Sequence, residues 1–580
     1  MKHLLRTRLL LILSLVCSAS GMFQKRSRES RDQQPGGDRL RVHLEDLFLS
    51  NTDSSAEIRE MFEDAAALGV HGAKKFAKAG GFGTNKKNVK RDLLRQSMKK
   101  TKDWPDLYYI DVHCLDLDSQ SVQTRKLPIL LPHEIIFAMK EKGNTDAIMF
   151  SQECMPQCTR DHMKRVSENL GIDSAIGIGL WGDGVPTKFD RSESLECLTM
   201  NLPGPATAKN MRIPITCLNK KFVVKNHTWE AVCSVLAWSF QVLASGVMPA
   251  CDHVGRPLTG KRAKWAGKPV TKSLLIQFRG DWAWYKYMFR FPQHNELAGC
   301  CWLCSCTPGK IRQVGANAGW RGQTLSHLQL LQRMIGLQQK PCSLFGAPGF
   351  VNTCCLIDWL HSADQGVLLH YLAQTFKYIL LKYLPGNNKT EKCRNLWLKM
   401  RAYYATNHVD SKLDMLTLSM LGSDSKPPVL RARAAEARFL VPFSIALNAE
   451  YLDLGDKAEQ AMHQCGLELQ GCYQNLSPEI FCKTNLRDHS RRFCLLYCAL
   501  EKSFADKCVW HVTPKLHLFQ HLCEDMESCP SLFWTYRDEE MGGSVMKIGL
   551  RRGGRHSITA AATDVLSRFM AKNRIPVLAA

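Results

Sequence analysis

The chain has 580 residues, with 77 Lys+Arg against 54 Asp+Glu and a formal net charge of +23. At 45% hydrophobic and 23% charged, it has the composition of a folded protein, and its length implies more than one core. So large a basic excess favours polyanions, nucleic acid first and acidic membrane second. No run of 18 uninterrupted apolar residues offers a membrane-spanning helix.

In chain order, residues 1–21 (MKHLLRTRLLLILSLVCSASG) carry a basic start, an apolar stretch from Leu9 to Val16 and small residues at Ser18, Ala19 and Ser20. That is a signal-peptide pattern, and it implies a secreted protein. The 24 cysteines form no regular framework, and a chain this long needs no disulfide staples. Residues 22–40 are polar and read as a linker. Residues 41–105 read as a basic helical region, either a small bundle or a DNA-binding element. Residues 106–170 form a mixed α/β lead-in, with a strand at LYYIDVHCLDL and a helix from Pro132. Cys154, Cys158 and His162 follow at C-x3-C-x3-H, a set without a fourth ligand that is not read as a metal site.

Residues 171–306 carry the clearest pattern. SAIGIGLWGDG, SLECLTMNLPG (194–204) and RIPITCLNKKFVV (212–224) read as strands. TWEAVCSVLAWSFQVLASGV (228–247) reads as a helix with Thr228 as N-cap, and KSLLIQFRGDW (272–282) as a fourth strand. The order is β-β-β-α-β, with Asp183 ending the first strand and Asp281 just after the fourth. Residues 307–510 read as an all-α region. Residues 511–580 hold PKLHLFQHL and YRDEEMGG. Basic clusters recur at 74–100, 255–272 and 549–556.

Carboxylates at the ends of neighbouring strands, about 4.8 Å apart, can share a metal ion. Oxygen-ligated Mg²⁺ ions activate an attacking oxygen and stabilise a leaving one on phosphorus. A third acid would come from Asp538, Glu539 or Glu540. The alternative is that Asp183 and Asp281 cap turns and that DEE complements a helix dipole. C-x2-C at Cys301 and Cys304, with the distant H-x3-H at His517 and His521, makes a Cys₂His₂ zinc set. Zinc there would close the helical region as a loop and help to place the third acid.

The order Asp, Asp, C-x2-C, helical insertion, H-x3-H, Glu resembles that of DDE-type cut-and-paste transposases, in particular the CACTA/Mirage/Chapaev grouping and V(D)J-type recombinases. GDGVP resembles the first-Asp motif, RGDWAWYKYMF the second and DEEMGG the acid before a Gly turn. DWLHSADQG (358–366) resembles a D-x-x-H-x-x-D element at the insertion's start. The resemblance covers roughly residues 170–560. It implies an RNase H-like α/β core interrupted by a large all-α insertion. Asp183, Asp281 and Glu539, or Glu540 in its place, would hold catalytic Mg²⁺ or Mn²⁺, and Cys301, Cys304, His517 and His521 structural Zn²⁺. It further implies phosphodiester hydrolysis at a transposon end, strand transfer to target DNA, a nuclear location, duplex DNA as partner, a dimer or larger assembly, and no membrane partner. Gly182 and Gly184 would let the backbone turn beside a phosphate. Gly542 and Gly543 would weaken a long catalytic helix. A decayed or domesticated DNA-binding derivative and a secreted cysteine-rich protein are the alternative readings.

Overall fold

The computed structural model describes residues 36–580 except 83–85, 100, 102, 143–156, 174, 188–192, 204–211, 298, 423–425, 506–509, 551–557, 574 and 576–580. The signal-like residues 1–21 and most of the expected linker lie outside the described residues, as does Cys154. Residues 36–40 belong to a helix, not to a linker. The chain divides into two compact units, one of residues up to Asp103 with Ser567–Arg574, the other of Trp104–Leu566 with the last residues.

The first unit is helical: Gly36–Leu49, Ser55–Ala67, Ala73–Ala77 and Val89–Met98. Ser54 and Glu57 start the second helix with a reciprocal capping box, which satisfies two otherwise orphaned N–H groups. Phe48, Ile58, Phe62, Phe76 and Leu93 form its core, with Phe62 and Phe76 stacked 4.6 Å apart.

The second unit is mixed α/β. A hairpin of β1 (Tyr108–Leu115) and β2 (Val122–Ile129) precedes a four-stranded sheet of β3 (Ile176–Pro186), β4 (Ser194–Asn201), β5 (Arg212–Asn219) and β6 (Ser273–Arg279). The sheet order is β5-β4-β3-β6. β3–β4 and β4–β5 are antiparallel, while β3–β6 is parallel. A parallel pair needs a crossover, and the Thr228–Ser245 helix lies within it. Thr228 is the first helical residue rather than the N-cap, which is His227. Its Oγ1 instead accepts from Val224 N at 2.8 Å and donates to His113 O at 2.5 Å.

β3 alternates its faces. Gly182 meets Trp284, which packs edge-on to Trp229 of the crossover helix. Trp181 and Val185 face the other way, against the Tyr536–Leu550 helix. Both faces are therefore covered, which is why these strands read as nearly continuous apolar runs. Between the sheet and that last helix lies a helical region whose long members are Leu368–Lys382, Lys389–Thr406, Lys457–Gln474 and Lys483–Ser503. It opens on a π-helical turn, Leu360–Val367, kinked at Gly366.

Candidate active site and metal centre

The register of β3 and β6 sets the acids. Their parallel pairing ends at Trp181↔Arg279, so Asp183 and Asp281 each lie two residues further on, at the same level. β3 itself does not end at Asp183. It stays paired with β4 to Pro186, with Asp183 opposite Cys197. The expected turn at Gly182 and Gly184 is absent. A Cβ on Gly182 would stand 2.3 Å from Trp284 Nε1, so this glycine serves close packing.

The Tyr536–Leu550 helix brings the third acid. A Cβ on Gly542 would fall 2.8 Å from Trp181 Cη2 and 2.9 Å from Val185 Cγ2. The helix runs unbroken through Gly542 and Gly543, and Gly542 allows its close approach to β3. Glu539, three residues earlier on the same helical face, then stands beside Asp183, which shares its strand face with Trp181 and Val185.

The three adjacent acids divide by environment. Asp538 is fully buried, accepting from Arg212 Nε at 2.6 Å and lying 3.4 Å from Arg279 Nη1, so it ties the helix to β5 and β6. Glu539 is half-buried and faces Asp183. Glu540 is exposed. Removing Asp538 strands two largely buried guanidinium groups. Asp538→Ala is expected to destabilise the second unit by about 3–5 kcal/mol, read as a lowered denaturation midpoint. A midpoint equal to that of the unaltered protein would rule out this tie.

Ligand atoms of Asp183, His361 and Glu539 all lie within 4.8 Å of one another. His361, from the π-helical turn, is the residue that sequence reasoning did not assign. It sits in the D-x-x-H-x-x-D element, the one signal that pointed to it. Asp358 orients it, accepting from His361 N at 3.1 Å and Nδ1 at 2.7 Å. Asp358 also accepts from Thr535 N at 2.9 Å and Oγ1 at 2.7 Å. His361 Nε2 then points at Glu539 Oε1, 3.8 Å away. Asp364 is buried elsewhere, accepting from Trp359 Nε1 at 3.1 Å and from the hydroxyls of Tyr473 and Tyr536.

Asp281 does not join the group. Its Oδ1 accepts from Trp284 N at 2.6 Å and caps the Trp282–Phe289 helix, as the capping alternative anticipated. Its charge still reaches the site. Burial first, then Asp281, raises the Asp183 carboxyl above its ordinary range. Burial first, then Asp183, pushes Glu539 up to about 8. Burial opposes the charge on His361, but the Asp358 hydrogen bond and the surrounding carboxylates outweigh it and raise it to about 9. Crowded carboxylates that cannot all ionise form a natural cation site, and Glu539 Oε1 is buried without a hydrogen-bond partner. The donor set is two carboxylates and one imidazole: the oxygens suit Mg²⁺ or Mn²⁺, while a nitrogen ligand suits softer first-row metals better than Mg²⁺. Beside it opens a cavity of about 440 Å³, walled by Asp281, Trp282, Lys286, Asp358, His361 and Lys515.

The second set is closed. Cys301, Cys304, His517 and His521 are 0%, 1%, 1% and 3% exposed. Cys304 Sγ lies 3.3 Å from both His517 Nε2 and His521 Nε2, and the two Nε2 atoms are 3.2 Å apart. Tetrahedral zinc, with bonds of about 2.3 Å to sulfur and 2.0–2.1 Å to nitrogen, implies ligand edges of roughly 3.3–3.8 Å. All four donor atoms, Cys301 Sγ included, lie within 4.8 Å of one another, a set that fits zinc. His521 Nδ1 pairs with Asp525, the outer-shell carboxylate that fixes a ligating imidazole. Burial lowers His517 below its ordinary value; burial acts the same way on His521, but Cys301 and Asp525 outweigh it and raise that ring to about 10, so a metal would have to displace that proton. Of the C-x3-C-x3-H residues, His162 Nε2 lies 2.9 Å from Gly349 O.

Compared with known proteins, the chain matches no family model and no curated sequence. Among the described residues, no helix is long and apolar enough to cross a membrane.

Proposed function

We infer that the chain is a DNA-cutting and DNA-joining enzyme of the DDE transposase type, with an RNase H-like core and a nuclear site of action. The observation that carries this reading is the meeting of Asp183, Glu539 and His361 at one end of a parallel β3–β6 pair, with Asp281 level with Asp183. The strand order β5-β4-β3-β6, the helix bearing Glu539 and the long helical region between them agree with it. Among the cysteines whose side chains are described, all are free thiols, which is compatible with a reducing compartment.

In this reading Asp183 and Glu539 would hold Mg²⁺ or Mn²⁺ with His361 as a nitrogen ligand, and Cys301, Cys304, His517 and His521 would hold Zn²⁺. A divalent ion held there would supply charge stabilisation at phosphorus and lower the pKa of a nucleophilic water. Asp358 keeps the His361 ring in place through Nδ1. Lys515 and Lys286, on the cavity wall, offer cations to the phosphodiester backbone. Asp281 contributes negative charge at the rim while it caps the Trp282–Phe289 helix.

Plasmid nicking in the presence of Mg²⁺ or Mn²⁺ tests the reading. Tight, salt-sensitive DNA binding with no metal-dependent cleavage would instead favour a domesticated binding derivative. The acids also fix a pH dependence. Without metal, their raised carboxyl pKa values keep protons on the site at neutral pH, and a metal must displace them. Apparent Mg²⁺ affinity, followed by nicking against Mg²⁺ concentration, is expected to rise from pH 6 to about pH 9, as Glu539 and then His361 lose their protons, and to level off above. A flat profile would refute a shared-proton acid pair.

A further inference from the structure

We propose that the acid site selects a first-row divalent ion of the Mn²⁺ type over Mg²⁺, and that His361 is the residue that sets this choice. The inference rests on the metal-enzyme reading for the presence of an ion, and goes beyond it in naming the class of ion that the side chains prefer.

The proportion of donors decides first. Asp183, His361 and Glu539 each bring one ligand atom to within 4.8 Å of the others, so nitrogen supplies one donor in three. The neighbouring carboxylates are engaged elsewhere. Asp281 Oδ1 accepts from Trp284 N. Asp358 spends Oδ1 on Thr535 N, and Oδ2 on Thr535 Oγ1 and His361. Glu196 of β4 accepts from Trp229 Nε1 at 2.5 Å and from the Tyr287 hydroxyl at 3.2 Å. Mg²⁺ demands a near-ideal octahedron of oxygens at about 2.0–2.1 Å. First-row ions accept imidazole more readily, and Mn²⁺ is the one among them that also favours carboxylate and water.

The imidazole is also held as a ligand is held. Asp358, 3% exposed, takes the Nδ1 proton of His361 at 2.7 Å, which leaves the lone pair on Nε2. That atom faces Glu539 Oε1, an oxygen buried without a hydrogen-bond partner. A carboxylate behind the far ring nitrogen is the usual support of a metal-bound histidine. The chain uses the same device at its Cys₂His₂ set, where Asp525 stands behind His521.

The turn that presents the ring adds a third observation. Leu360–Val367 is π-helical, a rare geometry that occurs frequently at functional sites. A site made only of oxygens needs neither this turn nor the Asp358 support. The other use of such a ring, as a cation against phosphate, puts a proton on Nε2 in place of a metal. Direct detection of a nitrogen bound to the ion separates the two.

The test uses the full chain loaded with zinc, so that His517 and His521 are occupied. Mn²⁺ binding is read from loss of the free-ion electron paramagnetic resonance signal, and Mg²⁺ binding from its displacement of Mn²⁺. Wild type is expected to bind Mn²⁺ at least about 30-fold more tightly than Mg²⁺, and pulsed spectra of the bound ion to show one directly bound nitrogen. His361→Gln places an amide oxygen at the reach of Nε2. It is expected to remove the nitrogen signal and to cut the Mn²⁺ preference by about tenfold, chiefly through weaker Mn²⁺ binding. Asp281→Asn removes only neighbouring charge, so it should weaken both ions alike and keep the ratio. Bound Mn²⁺ without nitrogen in the wild type overturns the proposal, as does a ratio that His361→Gln leaves unchanged. If His361→Gln melts early, the wild-type nitrogen signal decides, and its survival in Asp183→Asn would place it at another site and overturn the proposal. No DNA enters these measurements. Nitrogen-bound Mn²⁺ on a protein that never nicks DNA keeps the metal choice and removes the enzyme reading. Nicking that needs less Mg²⁺ than Mn²⁺, with no nitrogen signal, gives the reverse.

Discussion

Asp183→Asn is expected to lower metal-dependent nicking of duplex DNA by about 10³-fold or more, with the melting temperature nearly unchanged. The carboxylate is half-buried, crowded by Glu539 and Asp281, and accepts one short backbone bond, from Gly184 N at 2.7 Å. An amide keeps its size and loses the charge that would hold the ion, and ion-borne stabilisation of phosphorus chemistry accounts for several kcal/mol of barrier. Glu539→Gln should match it. Asp281→Asn is informative because asparagine caps a helix as well as aspartate does. It removes charge without releasing the Trp282–Phe289 helix. His361→Asn is expected to raise the Mg²⁺ concentration for half-maximal nicking by about 10–100-fold and to be restored by excess metal, unlike the two acids. Full activity in both Asp183→Asn and Glu539→Gln would remove the proposed site.

The largest stability effect is expected at the Cys₂His₂ set. Metal analysis should find one zinc per chain, and His517→Ala with His521→Ala should lose it. Structural zinc binds with about 10–16 kcal/mol of apparent free energy in small domains, and here the ligands come from two distant parts of one unit. The double variant should lose cooperative unfolding of the second unit, seen in near-ultraviolet circular dichroism, and become protease-sensitive between Cys304 and His517. Asp525→Ala, which removes only the carboxylate behind His521, should retain zinc with about 10–100-fold weaker affinity. Undiminished zinc content in the double variant would refute this ligand set.

Much of this was legible because strands and ligand pairs are local. The apolar runs of β3 and β6 are long enough to be read, and C-x2-C and H-x3-H each sit on a short segment. His361 was not, because its partners Asp183 and Glu539 come from β3 and the Tyr536–Leu550 helix, and only folding joins them. β2 escaped because VQTRKLPI is exposed over its first half and lacks a buried-face rhythm. The choice between Glu539 and Glu540 needed a helical phase, which Gly542 supplies through its contact with Trp181. Asp538 could not be assigned, since a carboxylate between two arginines of different strands leaves no trace in spacing. Asp281, read as a metal ligand or a turn cap, caps the Trp282–Phe289 helix and stands outside the group of Asp183, His361 and Glu539, because spacing does not say which way a carboxylate after a strand turns.

The glycine at position 542 turns a packing distance into a functional tolerance. The helix rests on the ring of Trp181, and the carboxylate one turn away inherits whatever standoff that contact sets. A methyl group there would act as a shim, lifting the acid from its partner on β3, and displacements near 1 Å can cost about a hundredfold in rate. Within this unit, the spacing of the two acids is therefore set by a residue with no side chain at all.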